Sequence, residues 1–232
     1  MSSPWKADCR DHLTRCFCAR LPDLIPRQPT SVGKFTLQIC LDSLQGQESM
    51  ASKEATVYIV DQGSSTGECH NGRVENDLDF GMRYIWDKIA ETMIANRTTA
   101  GVGVIGFRTD ATENELAESD PDAYSNISVM KPLGPMEISH LKDLQHGIQP
   151  NDTDTGDAIS AIVVGIQLIE KFTTLKTGKP GKFARKIILL TDGQGVLEDD
   201  DIDPIAARIN ELDIELVIVY VLPRYNPGIG LC

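Results

Sequence analysis

Ala55-Thr-Val-Tyr-Ile-Val-Asp61-Gln-Gly-Ser-Ser65 is the stretch on which the fold turns. Its first six residues include one short polar side chain and otherwise apolar or aromatic ones, the composition of a strand buried on both faces. The run then stops at an acid followed by small polar residues. Lys186-Ile-Ile-Leu-Leu-Thr-Asp192-Gly193 repeats the pattern of buried strand and terminal acid. Between them, Thr153-Asp-Thr-Gly-Asp-Ala-Ile-Ser-Ala-Ile-Val-Val164 turns into an apolar helix. In an open α/β sheet, the loops at the carboxyl ends of parallel strands converge on one crevice. Asp61, Ser65, Thr153 and Asp192 are therefore expected to meet there although they are far apart in sequence.

The rest of the pattern alternates strand and helix. Leu78, Met82, Ile85, Ile89 and Met93 recur at steps of three and four, as on one face of a helix. Val102–Phe107 and Ile127–Met130 read as strands, the second a short one, and Glu137–His146 as a short helix. Residues 156–172 form the most apolar helix, with Ile159, Ile162, Val163, Ile166 and Ile169 along one side. Asp203 before Pro204 suits the N-cap and first turn of a helix through Leu212. Glu215–Val221 closes the series as a buried strand. The class predicted is α/β: a doubly wound, mostly parallel sheet with helices on both faces, incomplete at its C-terminus. Val57, Ile59, Ile188 and Leu190 are expected among its buried positions.

Composition narrows the function classes. The chain has 232 residues, 41% of them hydrophobic and 24% charged, which suits one globular domain. Of its 22 basic and 34 acidic residues, 6 and 5 lie in residues 1–49, leaving 16 and 29 for residues 50–232. A body with a net charge of −13 repels phosphate and is a poor nucleic-acid groove by itself. Cys9, Cys16, Cys18 and Cys40 precede the patterned region, Cys232 ends the chain, and only Cys69 lies within the pattern. That is no disulfide framework and fits a reducing compartment. Neither a signal-peptide core nor a run of about 18 apolar residues is visible, so no membrane role is expected. The Asn-x-Ser/Thr triplets at Asn96, Asn126 and Asn151 read as chance matches.

Other motifs have plain explanations. Gly101-Val-Gly-Val-Ile-Gly106 spells a dinucleotide fingerprint but lies inside a strand, where small residues for close packing account for it. Gly178-Lys-Pro-Gly-Lys182 is too short for a phosphate-binding P-loop and lacks its Ser/Thr. Lys171, Lys176, Lys179, Lys182, Arg185 and Lys186 form a basic stretch, read as a solvated loop before a phosphate or acidic-partner contact. Glu198-Asp-Asp-Asp201 precedes a helix, where acids favour the N-terminus. Cys9, His12, Cys16 and Cys18 match no common zinc spacing. No G-x-S-x-G elbow accompanies the histidines, so a hydrolase is poorly supported, and no catalytic constellation is assigned.

The crevice set resembles the metal-ion-dependent adhesion site of von Willebrand factor A-type domains. That family's first loop reads Asp-x-Ser-x-Ser, and Gly63 holds the middle serine position here. The resemblance implies a degenerate Mg²⁺ site made of Asp61, Ser65, Thr153 and Asp192, with water at the position Gly63 leaves open. The plain alternative is that Asp61 and Asp192 end buried strands and cap local turns. A metal-dependent adhesion or ligand-binding domain, the competing function, calls for a signal peptide and a serine at position 63.

A more specific resemblance rests on Met50-Ala-Ser-Lys-Glu-Ala-Thr-Val-Tyr-Ile-Val-Asp61, Asp77-Leu-Asp-Phe-Gly-Met-Arg-Tyr-Ile-Trp-Asp-Lys88 and Gly156-Asp-Ala-Ile-Ser-Ala-Ile-Val-Val164. Val102–Asp110 and Lys186–Gly195 agree with it. These segments are similar to the amino-terminal domain of the larger Ku subunit in its fungal form. The resemblance implies a nuclear protein of chromosomes and telomeres that pairs with the smaller Ku subunit and works with end-joining repair factors. It implies roles in non-homologous end joining of double-strand breaks and in telomere maintenance. Duplex DNA ends would be bound through regions absent from this chain, a β-barrel and helical arm, with this domain as a protein-interaction platform. Such proteins are often described as ATP-dependent DNA helicases, an activity that no motif here supports directly. Residues 50–221 are expected to form the domain, 1–49 an irregular extension upstream of a natural start at Met50, and 222–232 a truncated tail.

Overall fold

The computed structural model describes residues 16–17, 53–95, 97, 99–197 and 202–221. Strand β1 is Cys16–Phe17, β2 Glu54–Asp61, β3 Ala100–Phe107, β4 Ile127–Gly134, β5 Ala184–Thr191 and β6 Ile214–Tyr220. Helices α1 (Asp77–Ile94), α2 (Ile138–Gly147), α3 (Ala158–Thr173) and α4 (Ile202–Glu211) connect or follow them. The strands form one sheet in the order β1-β6-β5-β2-β3-β4. β2 pairs in parallel with β3 and β5, and β5 in parallel with β6. Both edges are antiparallel, β4 on β3 and β1 on β6.

The central position of β2 follows from its composition. Alternate side chains of a strand face opposite sides of the sheet, and β2 is apolar on both. Val57 and Ile59 pack under α3 with Ile162, Ile169, Ile187 and Ile218, whereas Tyr58 and Val60 pack with Leu78, Ile85 and Ile89 of α1 and with Leu190. Val57, Ile59, Ile188 and Leu190 are all buried, as their continuous apolar runs predict. The fold is thus the doubly wound α/β architecture expected from the sequence.

Element boundaries moved modestly. α1 begins at Asp77 because Asn76 caps it, its side chain accepting from the Asp79 N–H at 2.7 Å. α3 begins at Ala158 behind Asp157, which accepts from the Ser160 N–H at 2.6 Å. α4 starts at Ile202, two residues before Pro204, so Asp203 lies in its first turn and is not its cap. β4 runs to Gly134 through Pro132, longer than the short strand expected. An edge strand has one side without a ladder partner, so a proline there costs no sheet hydrogen bond. The β3–β4 register shifts on either side of Val104, and the buried Lys131 amine fills the irregularity. Its Nζ donates to the carbonyls of Val102 (2.8 Å), Pro132 (3.0 Å) and Gly134 (3.2 Å).

The glycines of β3 are packing residues. A Cβ on Gly101 would lie 2.7 Å from the Phe172 ring of α3, one on Gly103 3.4 Å from Leu133, and one on Gly106 would overlap the Gln62 side chain. Met50, Glu198–Asp201 and the tail from residue 222 lie outside the described residues, as do Cys9, His12 and Cys18. No helix among the described residues is long and apolar enough to cross a membrane.

Candidate functional site

The carboxyl ends of β2, β3 and β5 meet at a crevice, and each contributes a charged residue at or just beyond its last position. Asp61 ends β2, Asp192 follows β5, and Arg108 follows β3. Arg108 and Asp61 are each about 1% exposed, and Asp192 is also buried. The short 3-10 turn Ser64–Gly67 after β2 and the loop before α3 form the rim. A backbone hydrogen bond joins them, the Ser64 N–H donating to the Thr153 carbonyl at 3.3 Å.

The carboxylates hold their own loops first. Asp61 accepts from the Thr191 hydroxyl at 2.6 Å and from the Gly63 N–H at 3.1 Å, which ties the turn after β2 to the end of β5. Asp192 accepts from the Gln194 N–H at 2.9 Å and from the Ser65 hydroxyl at 2.5 Å. Burial is the largest influence on Asp61 and pushes its carboxyl up from 3.8 to about 6, against the opposing pulls of Arg108, the Thr191 hydroxyl and the Gly63 N–H. These contacts are the turn-capping role that the plain alternative assigns to the two acids.

Arg108 is the residue the sequence did not single out. Its Nη2 donates to the Ser65 Oγ at 2.5 Å, and that hydroxyl in turn donates to Asp192 Oδ2 at 2.5 Å. Nε stands 3.2 Å from Asp61 Oδ1, close enough for an ion pair although its N–H makes no hydrogen bond. Nη1 lies 3.7 Å from Asp192 and Nη2 3.8 Å from Asp154, an exposed acid that also accepts from the Ser64 hydroxyl at 2.6 Å. One guanidinium therefore sits among three carboxylates and a serine. The only local signal was a cation directly after an apolar strand, and nothing in its neighbours pointed it into the crevice.

Three glycines make room for that side chain. A Cβ on Gly63 would overlap the guanidinium. One on Gly195 would lie 3.2 Å from Arg108 Cδ and Nη1, and one on Gly156 2.9 Å from the Arg108 backbone nitrogen. Gly63 has an ordinary extended backbone, with φ −61°, so space and not conformational freedom accounts for it. Arg108 itself is left-handed at φ 54°. Its turn is held by Asn126, whose backbone carbonyl accepts from the Thr109 N–H at 3.1 Å and whose Nδ2 donates to the Thr109 carbonyl at 2.8 Å. The Thr155 hydroxyl donates to Asn126 Oδ1 at 2.9 Å and links this turn to the loop before α3.

Of the four residues expected to converge, Ser65 and Asp192 are in direct contact, and Asp61 joins them through Arg108. Thr153 reaches the rim by its backbone, while its hydroxyl pairs with Thr155 Oγ1 at 2.8 Å. Mg²⁺ takes about six oxygens in near-octahedral geometry at about 2.0–2.1 Å. An ion bridging Asp61 and Asp192 would stand against the Arg108 guanidinium, with like charge and no room. With Arg108 in this position the residues present do not fit the metal. Among the described residues, no group of three or more His, Cys, Asp or Glu side chains is gathered as metal ligands.

The basic stretch is partly used within the fold. Lys171 pairs with Glu115, and Lys186 with Glu215 at 3.0 Å. Arg185 donates to Thr173 and to the carbonyls of Leu212 and Gly181. Lys176, Lys179 and Lys182 are exposed.

Residues 55–219 match the family model described as the Ku70/Ku80 N-terminal alpha/beta domain. The chain is 48% identical over 172 residues to a Neurospora crassa protein named ATP-dependent DNA helicase II subunit 2, covering 74% of this chain and 23% of that one. A Chaetomium globosum protein of the same name is 47% identical over 172 residues, with the same coverage. One from Aspergillus oryzae is 46% identical over 170 residues, covering 73% of this chain and 22% of its own length. The chain spans a little under a quarter of the length of these curated relatives.

Proposed function

The chain belongs to the family of Ku amino-terminal α/β domains, and from that premise we propose that it is the amino-terminal platform of a larger-type Ku subunit. It acts in the repair of DNA double-strand breaks by non-homologous end joining, and in telomere maintenance, within the nucleus. Its partners are the smaller Ku subunit and end-joining repair factors. Duplex DNA ends are engaged by the rest of the protein. The single observation that carries this reading is the match over residues 55–219, joined to relatives named subunit 2 at up to 48% identity.

The physical character of the domain supports its role as a platform. Residues 50–232 carry a net charge of −13, and Lys171 and Lys186 of the basic stretch are ion-paired within the fold. DNA affinity rests largely on cations that displace counterions from phosphate, and this surface offers few. The helicase activity named for the relatives has no assigned residues here: the crevice holds a buried ion-pair network and no phosphate cradle.

Affinity purification of the full gene product, tagged at its own locus in the organism that encodes it, tests the reading. The smaller Ku subunit is expected in roughly equal amount, as for a stable dimer. Recovery of intact bait without that subunit contradicts it.

A further inference from the structure

We infer that Arg108 is a built-in cation: its guanidinium takes the place that a divalent ion has in a metal-dependent adhesion crevice, so this crevice closes without metal and holds a latent metal site beneath one side chain. Two independent observations carry this. The first is chemical. A buried positive group stands between Asp61 and Asp192, hydrogen-bonds Ser65, and approaches Asp154, which are oxygens of the kind a hard cation recruits. Charge buried to this degree persists only when paired, and the partners come from three segments: Asp61 and Ser65 at and just after the end of β2, Asp154 before α3 and Asp192 after β5.

The second is steric. Gly63 stands where the adhesion pattern has a serine, and a Cβ there would overlap the guanidinium. Gly195 closes the other side, and Gly156 backs the main chain of Arg108. A serine at 63 would therefore displace the guanidinium from the position it holds. The missing hydroxyl is the complement of the arginine, and the two positions, 45 residues apart, form one device. A guanidinium, unlike an ion, cannot be chelated or exchanged. It also leaves no open coordination position for a partner's carboxylate, so recognition by this domain does not pass through a bridging metal.

The test is isothermal calorimetry with Mg²⁺ and Mn²⁺, together with thermal unfolding, on the full chain and four variants. The wild type should show no saturable heat and the same Tm in EDTA and in Mg²⁺. Arg108→Ala should lower Tm by on the order of 10 °C, because it leaves buried carboxylates uncompensated. It should also gain divalent binding at roughly 10⁻³ M or tighter, with Tm recovering as the ion is added. Gly63→Ser should be destabilised in the presence of Arg108. The double variant Gly63→Ser/Arg108→Ala should lie above Gly63→Ser in Tm and bind Mg²⁺ more tightly than Arg108→Ala alone. Should Arg108→Ala fold only when refolded in Mg²⁺, the same conclusion holds. Saturable metal binding by the wild type that Asp61→Ala abolishes would overturn the inference. So would failure of Arg108→Ala to bind metal or to fold with it, or effects of the two substitutions that simply add.

Discussion

At the scale of single residues, the crevice is a balance between burial and charge. Asp61 is held beside Arg108, yet its carboxyl sits near pH 6 because burial outweighs its partners. Between about pH 4 and 6 the folded chain keeps a proton that the unfolded chain has released. The contribution of this group to stability therefore falls as pH rises through that window and is flat above it, with a limiting slope of about 1.4 kcal/mol per pH unit. Denaturant titrations from pH 4 to 7 should show Asp61→Asn lacking that component of the slope; parallel curves for the two proteins would contradict it. Sequence alone supplied Asp61, Ser65 and Asp192, since each follows a recognisable buried run or its turn. It did not supply Arg108, because a cation after an apolar strand has no periodicity or spacing that says where its side chain points. Gly63 read as a lost hydroxyl for the same reason: its cause lies on another strand.

At the scale of elements, apolar periodicity located α1, α3 and the central strands, since burial on one or both faces is written directly into composition, whereas α4 was read from its Asp203-Pro204 start. The irregular edge was less legible. Ile127-Ser-Val-Met-Lys-Pro looks like a strand that ends before its lysine and proline, yet β4 continues to Gly134. Lys131 explains the continuation, because its buried amine serves three carbonyls where the ladder with β3 shifts register. Burial lowers the pKa of that amine, and Glu137 opposes the shift. Lys131→Met preserves the aliphatic stem and removes the donor. It should cost about 1–3 kcal/mol, the penalty for buried acceptors left unpaired, with the denaturant m-value unchanged. A loss below about 0.5 kcal/mol, as for an ordinary surface substitution, would mean that water serves those carbonyls equally well.

At the scale of the molecule, the fold brings an acidic surface, an internally ion-paired crevice and a partly used basic stretch onto one domain. Alternation of strand and helix was enough to predict the doubly wound sheet, and several segments in register pointed to the Ku family that the match over residues 55–219 establishes. The short strand Cys16–Phe17 paired to β6 was not foreseen, since two residues carry no pattern. The domain is proposed as the platform of a Ku subunit and not as the part that grips DNA. A gel-shift of the purified chain with a blunt duplex of roughly three helical turns, at physiological salt, tests it most directly. No shift is expected at concentrations where specific DNA binders saturate, about 10⁻⁸ M and well above. Nanomolar binding that persists at this salt, and that is lost when Lys176, Lys179 and Lys182 are changed to glutamate, would contradict it.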